Sequence, residues 1–280
     1  MKLLNGKELA SKIKEEVKAY IEEHKLDVTL AVIQVGDNPA SSVYVGNKIK
    51  SCEYCEINSN VYKLHSIESE DTLLQVIDEL NYSDDIDGIL VQLPLPPHID
   101  ENKVIEWIIP EKDVDGFHPY NVGSLMIGKD TLVPCTTAGI IELLKENSID
   151  IEGKHCVVVG RSNIVGKPTA IEMLRNNATV TICHSKTENL QEICRQADIL
   201  VCAIGKPKFF NADYVKDGAV VIDVGIHRQE DGKLCGDVDF DDVKDVVSAI
   251  TPVPGGVGAM TVAMLMKNCV KAAQLNERVV

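Results

Sequence analysis

The sequence predicts an α/β protein of two domains, and three observations support this prediction. The chain has 280 residues, a length that suits one large domain or two ordinary ones. Short apolar segments alternate with amphipathic segments of helical period, which favours parallel strands covered by helices. From Gly153 onward, four β-rich segments follow one another at short intervals, which indicates a second parallel sheet. We place the change of domain within residues 125–150.

Composition and charge exclude several classes of protein. The chain has 28 Lys and Arg against 43 Asp and Glu, a net charge of −15, so we expect no nucleic-acid partner. The apolar runs fall far short of the ~20 residues that a membrane span needs, and Met1–Ala10 lacks the apolar core of an export signal. Nine cysteines without a regular spacing then indicate reduced thiols. We therefore expect a cytoplasmic protein without a membrane segment.

Cys52 and Cys55 form the only C-x-x-C pair of the sequence. A zinc site would need a second pair of ligands, and a redox site would need a thioredoxin-like strand ahead of the motif. The sequence offers neither, so we interpret the pair as two cysteines on a helix and expect no metal site.

The N-terminal half begins with a predicted helix over Lys7–His24 and a buried strand over Leu30–Val35. Turn-forming residues follow at Gly36–Pro39, and Ser41 or Ser42 is the expected cap of the next helix, which we extend to Cys55.

A second strand is predicted over Ile86–Leu93, where three prolines end it. Lys112–Gly123 has no period and many turn-forming residues, so we predict a long loop there. Another helix begins around Pro134–Gly139.

The C-terminal half contains four β-rich runs, and helical segments separate the first three. The runs are His155–Val159, Ala178–Cys183, Asp198–Ala203 and Ala219–Asp223. This succession is typical of a Rossmann-type domain.

The first of these runs leads into Gly160 and Gly166, which suit a turn that lets a pyrophosphate approach the backbone at a helix N-terminus. The spacing is not G-x-G-x-x-G, so an ordinary strand-to-helix turn is the alternative. No acid follows the second run to hold a ribose 2′-hydroxyl, whereas Arg161, assisted by Ser185 and Lys186, could hold a 2′-phosphate. We therefore expect NADP rather than NAD.

Candidate catalytic residues lie in the N-terminal half. Tyr44 and Lys48 are four residues apart and share one face of the predicted helix. Gln92 ends a buried strand, where residues of open α/β sheets face their ligands, and Asp113 and Asp115 lie in the long loop beyond it. A lysine between an amide and a carboxylate is suited to exchange protons near neutral pH. An exposed tyrosine and a solvated lysine are the plainer interpretation of the pair.

Six sequence blocks are distributed along most of the chain, from residue 44 to residue 258. They are Tyr44–Lys50 (YVGNKIK), Asp87–Pro96 (DGILVQLPLP), Lys112–Gly123 (KDVDGFHPYNVG), Gly160–Pro168 (GRSNIVGKP), Asp223–Ile226 (DVGI) and Thr251–Gly258 (TPVPGGVG). In this order they resemble the signature blocks of the bifunctional methylenetetrahydrofolate dehydrogenase/methenyltetrahydrofolate cyclohydrolase family. The resemblance implies that NADP oxidises 5,10-methylene-tetrahydrofolate to the methenyl cation, which water opens to 10-formyl-tetrahydrofolate.

The resemblance also implies a domain plan. Residues 1–135 would form an α/β folate-site domain, with a C-terminal helix over 260–280 packed back on it. Residues 136–259 would form the Rossmann-type NADP domain, with the active-site cleft between the two. The family further implies a homodimer.

Each site residue takes its role from the resemblance. Lys48 is expected to be the general acid/base of the cyclohydrolase step, with Gln92 bonded to it. Tyr44 is expected to lie against the folate ring, and Asp115 to bind the pterin edge. The residues expected to line the NADP site are Gly160, Arg161, Ser162, Ser185 and Ile226. Pro254 and Gly255 are expected to close over the folate.

Three positions depart from the family pattern. Thr137 and Ala259 stand at helix starts where proline is usual, and Glu56 replaces a frequent glycine after the catalytic helix. None of them carries the proposed chemistry, so we expect them to affect the rigidity of loops.

Two other functions stay open at this point. One is a dehydrogenase with a weak or absent cyclohydrolase step, against which the presence of Lys48 with Gln92 argues. The other is a non-catalytic dinucleotide-binding sensor, which would be expected to have lost the set of Tyr44, Lys48 and Asp115.

Overall fold

The computed structural model describes residues 1–277, and the chain divides into two compact units. The first unit comprises Ser11–Cys135 and the chain from Val262 onward. The second unit comprises Met1–Ala10 and Thr136–Thr261.

The elements, in chain order, are β1 (Lys2–Leu3), α1 (Gly6–His24), β2 (Thr29–Val35), α2 (Pro39–Cys55), β3 (Asn58–Leu64), α3 (Glu70–Asn81), β4 (Gly88–Val91), α4 (Glu101–Trp107), α5 (Pro119–Met126), α6 (Cys135–Glu146), β5 (His155–Val159), α7 (Gly166–Arg175), β6 (Thr179–Cys183), α8 (Leu190–Cys194), β7 (Ile199–Cys202), a short 3-10 helix (Ala212–Tyr214), β8 (Val220–Asp223), β9 (His227–Arg228), β10 (Leu234–Cys235), α9 (Phe240–Val243), β11 (Ala249–Ile250) and α10 (Val257–Glu277).

The first unit is built on a parallel sheet of three strands in the order β3-β2-β4. The central strand β2 is buried from Leu30 to Val35, as its continuous apolar sequence predicts. The strand predicted over Ile86–Leu93 is present but shorter, as β4. Ile33, Ile89 and Ile77 of α3 belong to one buried apolar cluster. Because β2 and β4 pair in parallel, their carboxyl ends lie side by side.

The second unit is built on a parallel sheet of six strands in the order β1-β11-β8-β7-β5-β6. The four β-rich runs predicted from the sequence are its β5, β6, β7 and β8, which confirms the Rossmann-type prediction. The chain runs from β5 outward to β6 and then crosses to β7 on the other side of β5. Such a switch point is where open α/β sheets bind their ligands, at the carboxyl ends of the strands.

Two local predictions were wrong. The loop predicted over Lys112–Gly123 ends early, because Pro119 begins α5 and Nδ1 of His118 accepts the N–H of Tyr120 to cap it. The cap of α2 is Asn38, whose Oδ1 accepts the N–H of Ser41 at 3.2 Å, so the helix begins before both predicted serines.

The chain ends cross between the units. β1 pairs with β11, so the first ten residues group with the larger sheet. Most of α10 groups with the first unit, where Asn268 donates to the carbonyls of Val114 and Val133 at 2.8 and 2.9 Å. The predicted helix over 260–280 is thus present up to Glu277, and residues 278–280 lie outside the described part. Within residues 1–277, no helix has both the length and the apolarity to cross a membrane.

Candidate active site

Lys48 and Gln92 meet in the first unit. Lys48 lies on α2, and Gln92 directly follows β4, where its N–H donates to the carbonyl of Ile33 at 2.8 Å. Nζ of Lys48 donates to Oε1 of Gln92 at 3.0 Å. Nε2 of Gln92 donates to the carbonyl of Leu93 at 2.6 Å. The amide is thereby held with its oxygen toward the ammonium group, which is half-buried.

Asp115 provides a carboxyl group that interacts electrostatically with Lys48. Burial raises the pKa of Asp115, the positive charge of Lys48 opposes this rise, and the nearby Asp113 adds to it. The site therefore combines an ammonium group, an amide and a carboxyl group that takes up a proton more readily than an exposed aspartate.

Lys112 anchors the segment before Asp115. Its buried Nζ donates to the carbonyl of Leu80, in the last turn of α3, at 3.1 Å and to the carbonyl of Ser83, just beyond that helix, at 2.7 Å. Burial lowers the pKa of this lysine. Its carbonyl accepts the N–H of Ile89 at 2.7 Å, which joins the segment to β4.

Asp113 anchors the segment around Asp115 to the residues that follow it in the chain. Its buried carboxylate accepts the N–H of His118 at 2.7 Å and Nδ2 of Asn121 at 2.9 Å. Burial raises the pKa of Asp113, and these two donors oppose the rise. Asn121 is itself held by the hydroxyl of Thr131 at 2.6 Å. Asp115 thus extends from a backbone segment that is fixed on both sides, and sequence reasoning missed the roles of Lys112, Asn121 and Thr131.

Tyr44 lies one helical turn before Lys48 on α2. Its side chain is 41% exposed. The same helix therefore presents a planar ring and an ammonium group at neighbouring positions on one face.

The cysteines of α2 are buried thiols. Burial raises the pKa of Cys52 to about 12 and that of Cys55 to about 11, so both stay protonated at neutral pH. Among residues 1–277, no group of three or more His, Cys, Asp and Glu side chains is arranged to hold a metal ion.

The second unit carries the glycine turn between β5 and α7. Gly160 has φ +139°, and a Cβ there would lie 2.2 Å from the carbonyl oxygen of Ala203. A Cβ on Gly166 would lie 2.3 Å from the carbonyl oxygen of Gly160. Oγ of Ser162 accepts the N–H groups of Val165 and Gly166 at 3.2 and 3.3 Å. The turn therefore leaves no room for a side chain at either glycine. A tight glycine turn of this kind lets the backbone come close to a pyrophosphate.

Cationic and hydroxyl side chains follow the two adjacent strands β5 and β6. Arg161 is exposed directly after the first glycine, and Ser185 and Lys186 are exposed after β6. His184 is occupied by its own turn, since its Nδ1 accepts the N–H of Lys186 at 3.1 Å. No acidic residue lies between Cys183 and Lys186. These side chains fit a 2′-phosphate better than a free 2′-hydroxyl.

The remaining predicted residues also lie in the second unit. Ile226 follows β8 and is 38% exposed. A Cβ on Gly258 would lie 2.7 Å from its Cδ1. Gly255 has φ +101°, and its carbonyl accepts the N–H of Lys7 at 2.9 Å. Pro254 immediately precedes it in the sequence.

The three departures from the family pattern have distinct local structures. Oγ1 of Thr137 is fully buried and lies 3.0 Å from Oγ1 of Thr169 on α7, so this threonine gains a hydrogen bond that proline cannot form. Glu56 has φ +61°, a left-handed conformation that favours glycine. Ala259 lies in the first turn of α10, and its N–H donates to the carbonyl of Gly256 at 3.2 Å.

A glycine turn on a Rossmann-type sheet, with a lysine, an amide and a carboxyl group gathered in the other unit, defines a dinucleotide-binding enzyme of two α/β units. Comparison with known families agrees with this class. The NAD(P)-binding domain of the tetrahydrofolate dehydrogenase/cyclohydrolase family matches residues 134–277, and its catalytic domain matches residues 4–115. The chain belongs to the tetrahydrofolate dehydrogenase/cyclohydrolase family.

Individual relatives agree over almost their whole length. The bifunctional protein FolD of Lachnoclostridium phytofermentans is 64% identical over 97% of this chain and 98% of its own. The crystal structure of the bifunctional enzyme FolD from Campylobacter jejuni matches with a TM-score of 0.95 at 51% identity, over 98% of this chain and 99% of that one. The FolD of Trypanosoma brucei, solved with NADP cofactor and inhibitor, matches with a TM-score of 0.93 at 36% identity, over 99% and 98%.

Proposed function

We propose that this chain oxidises 5,10-methylene-tetrahydrofolate to the methenyl cation with NADP and hydrolyses that cation to 10-formyl-tetrahydrofolate. The observation that carries the proposal is the contact of Lys48 with Gln92, with the Asp115 carboxyl group in electrostatic range. The Campylobacter jejuni relative, described as a methylenetetrahydrofolate dehydrogenase/cyclohydrolase, supports it. The unit from Ser11 to Cys135 binds the folate, and the unit from Thr136 to Thr261 holds the dinucleotide.

The dehydrogenase step needs alignment from the protein and no acid or base. NADP, when bound, accepts the hydride. Gly160 and Gly166 leave room for its pyrophosphate at the start of α7, and Ile226 offers an exposed apolar surface. Arg161 and Ser185 hold the 2′-phosphate, which favours NADP over NAD. Ser162 shapes the turn through its contacts with the first amides of α7.

The cyclohydrolase step needs proton transfer, which we assign to Lys48. Water adds to the methenyl carbon and loses a proton, and the carbon–N5 bond then breaks as that nitrogen takes up a proton. An amine can accept the first proton, and the ammonium group can return it to the leaving nitrogen. Gln92 positions the ammonium group through Oε1, because its amide is fixed by the carbonyl of Leu93.

Folate recognition falls to side chains around this lysine. Asp115, as a carboxylate, accepts hydrogen bonds from the N–H groups at the pterin edge. Tyr44 provides the flat apolar surface that a pterin ring stacks on. We further propose that Pro254 and Gly255 close over the bound folate, as the resemblance implies.

The first test is an absorbance time course with methylene-tetrahydrofolate and NADP, which follows reduced cofactor and the methenyl compound together. Reduced cofactor should rise while methenyl stays low. Methenyl that accumulates in step with reduced cofactor would identify a dehydrogenase alone. No signal with either NADP or NAD would leave a non-catalytic binding protein.

The second test separates the two steps by mutation. Lys48→Met should lower the cyclohydrolase rate by about 100-fold or more, the range that general acid/base catalysis supplies, and should leave measurable dehydrogenase activity. Lys50→Met is the matched control, because Lys50 is an exposed lysine two residues further along the same helix. Equal losses of both activities in a folded Lys48 variant would refute this division of labour.

Cofactor choice has its own test. Arg161→Ala should weaken NADP binding much more than NAD binding, since only NADP carries the 2′-phosphate. Equal weakening of the two would refute the phosphate contact.

The cellular setting completes the proposal. We infer a cytoplasmic homodimer that acts in one-carbon metabolism and supplies purine biosynthesis. Size-exclusion chromatography with light scattering would measure the oligomeric state directly.

A further inference from the structure

Asp237 lies in the second unit, between β10 and α9, and the function described above does not use it. Its side chain is completely buried. Oδ2 accepts the N–H groups of Ile204 and Gly205 at 2.7 and 3.0 Å, and Oδ1 accepts the N–H of Lys206 at 2.9 Å. One carboxylate therefore binds three successive backbone amides of the loop that follows β7.

The loop held in this way forms one wall of the glycine turn. It begins at Ala203, whose N–H donates to the carbonyl of Val159 at 2.8 Å, at the end of β5. The carbonyl oxygen of Ala203 is the atom that a Cβ on Gly160 would meet at 2.2 Å. A shift of the loop therefore changes the space next to Gly160.

A second buried carboxylate fixes Asp237 itself. Oδ1 of Asp223 accepts the N–H groups of Gly225 and Asp237 at 3.0 and 2.9 Å, and its Oδ2 accepts the N–H of Val238 at 3.0 Å. A Cβ on Gly236 would lie 1.8 Å from Oδ2 of Asp223. A Cβ on Gly225 would likewise lie 2.3 Å from Oδ1 of Asp237, so the main chain packs directly against both carboxylates. The position of Asp237 therefore depends on the hydrogen bonds of Asp223.

His227 adds a contact from the segment after β8. Its Nε2 lies 2.8 Å from Oδ1 of Asp237. His227 directly follows Ile226, which we place in the NADP site. Asp237 is thus joined to the loop after β7 and to the segment after β8, both at the carboxyl edge of the sheet, where open α/β sheets bind their ligands.

We infer that Asp237 is a positioning residue for the dinucleotide: its carboxylate holds the loop Ala203–Lys206 and the segment Ile226–His227 in the shape that NADP binds. This inference rests on the proposed function. A carboxylate suits the role because its two oxygens accept all of these hydrogen bonds, and bonds to a charged acceptor are stronger than neutral ones. An asparagine has one oxygen, and its amide group would face a backbone donor.

The test compares Asp237→Asn with Asp241→Asn. Asp241 is the matched control, because it lies four residues further on, is 81% exposed and forms a surface ion pair with Lys244. Calorimetric titration of the folded proteins with NADP should show a dissociation constant raised about tenfold or more for Asp237→Asn and unchanged for the control. Hydrogen exchange should become faster at the amides of 204–206 and not in β5.

The cyclohydrolase activity supplies an internal reference, since it can be measured on methenyl-tetrahydrofolate without NADP. It should be unchanged in Asp237→Asn. Unchanged NADP affinity would overturn the inference, and so would an equal loss of both activities with a lowered melting temperature, which indicates a purely structural role.

A second variant covers the case in which Asp237→Asn does not fold. His227→Ala removes one contact and leaves the three amides, and it should weaken NADP binding about threefold. Unchanged binding there would also overturn the inference. A wild-type protein that binds NADP but converts no folate would refute the proposed function, and the binding and exchange measurements would still decide the role of Asp237.

Discussion

Replacement of Gln92 by methionine is the sharpest test of how the site controls Lys48. Methionine keeps the length of the side chain and removes both polar atoms of the amide. The variant loses the acceptor that Nζ of Lys48 meets at 3.0 Å and the donor to the carbonyl of Leu93 at 2.6 Å. The ammonium group is then free to leave the position from which it serves the reacting carbon.

The size of the effect follows from the kind of bond that is lost. A hydrogen bond to a charged group contributes about 1.5–3 kcal/mol, and each ~1.4 kcal/mol changes a rate about tenfold. The cyclohydrolase rate should therefore fall by about 10- to 100-fold. We expect the lower part of this range, because Lys48 is only half-buried and the charge of Asp115 still attracts it. The dehydrogenase rate should change by less than about threefold, since hydride transfer uses no protein acid or base.

The assay measures the two activities separately on one preparation. Loss of methenyl absorbance without NADP gives the cyclohydrolase rate, and formation of reduced cofactor gives the dehydrogenase rate. Gln34→Met is the matched control, because Gln34 lies on the neighbouring strand β2 and Nε2 donates to the carbonyl of Gly36 and to Oγ of Ser42 at 3.1 and 2.9 Å. It removes a buried amide of similar bonding without a contact to Lys48.

Two results would refute this reasoning about Gln92. One is an equal fall of both activities in Gln92→Met, which would indicate a general disturbance of the folate site. The other is a selective loss of cyclohydrolase activity in Gln34→Met, which would show that any buried amide near the carboxyl edge of the sheet has the same effect.

Three further predictions concern stability. Thr137→Val and Thr169→Val should each lower the free energy of unfolding by about 1–2 kcal/mol, because each single change leaves one buried hydroxyl unpaired. The double variant should lower the free energy of unfolding by less than the sum of the two single changes. Denaturant titrations would measure this coupling. Glu56→Gly should raise the melting temperature, since it relieves a left-handed φ of +61° worth about 1 kcal/mol. Burial raises the pKa of Asp223 to about 6, above the ordinary value of 3.8. The Asp223 carboxyl group therefore holds its proton more tightly in the folded protein than in the unfolded chain. About 3 kcal/mol of stability that is present near pH 4 should be lost as the pH rises through 6. The variant Asp223→Asn should lack this part of the pH dependence.

The buried strands could be predicted from the sequence, because a short continuous apolar segment of a globular protein is typical of a strand that is buried on both faces. His155–Val159 was predicted with the bounds that β5 has, and Leu30–Val35 differs from β2 by one residue. The edge strand β3 was not predicted. Its sequence NSNVYKL is mostly polar and partly exposed, and it forms a strand because β2 offers a free edge with seven matched positions.

The candidate site could be predicted from the sequence only in part. The contact of Lys48 with Gln92 was expected from the resemblance and is present in the structure, whereas their catalytic roles stay predictions. The anchors of the site could not be read from the sequence, because their partners are backbone groups. Asp237 binds amides that lie 31 to 33 residues earlier, and Lys112 binds carbonyls 29 and 32 residues earlier. Every residue type presents the same amide and carbonyl, so such pairs leave no pattern of side chains to recognise.

Buried charges fix the loops of both units by the same physical means. Lys112 and Asp113 hold the segment that presents Asp115, and Asp223 and Asp237 hold the loops beside the glycine turn. Burial makes each charged form costly, which is why it raises the pKa of Asp113 and Asp223 and lowers that of Lys112. The protein retains these groups because a charged side chain satisfies several backbone groups at once, and a loop held in this way has little freedom left to lose when a ligand binds. The stability given up at these positions is therefore best understood as preorganisation of two binding sites, one in each unit.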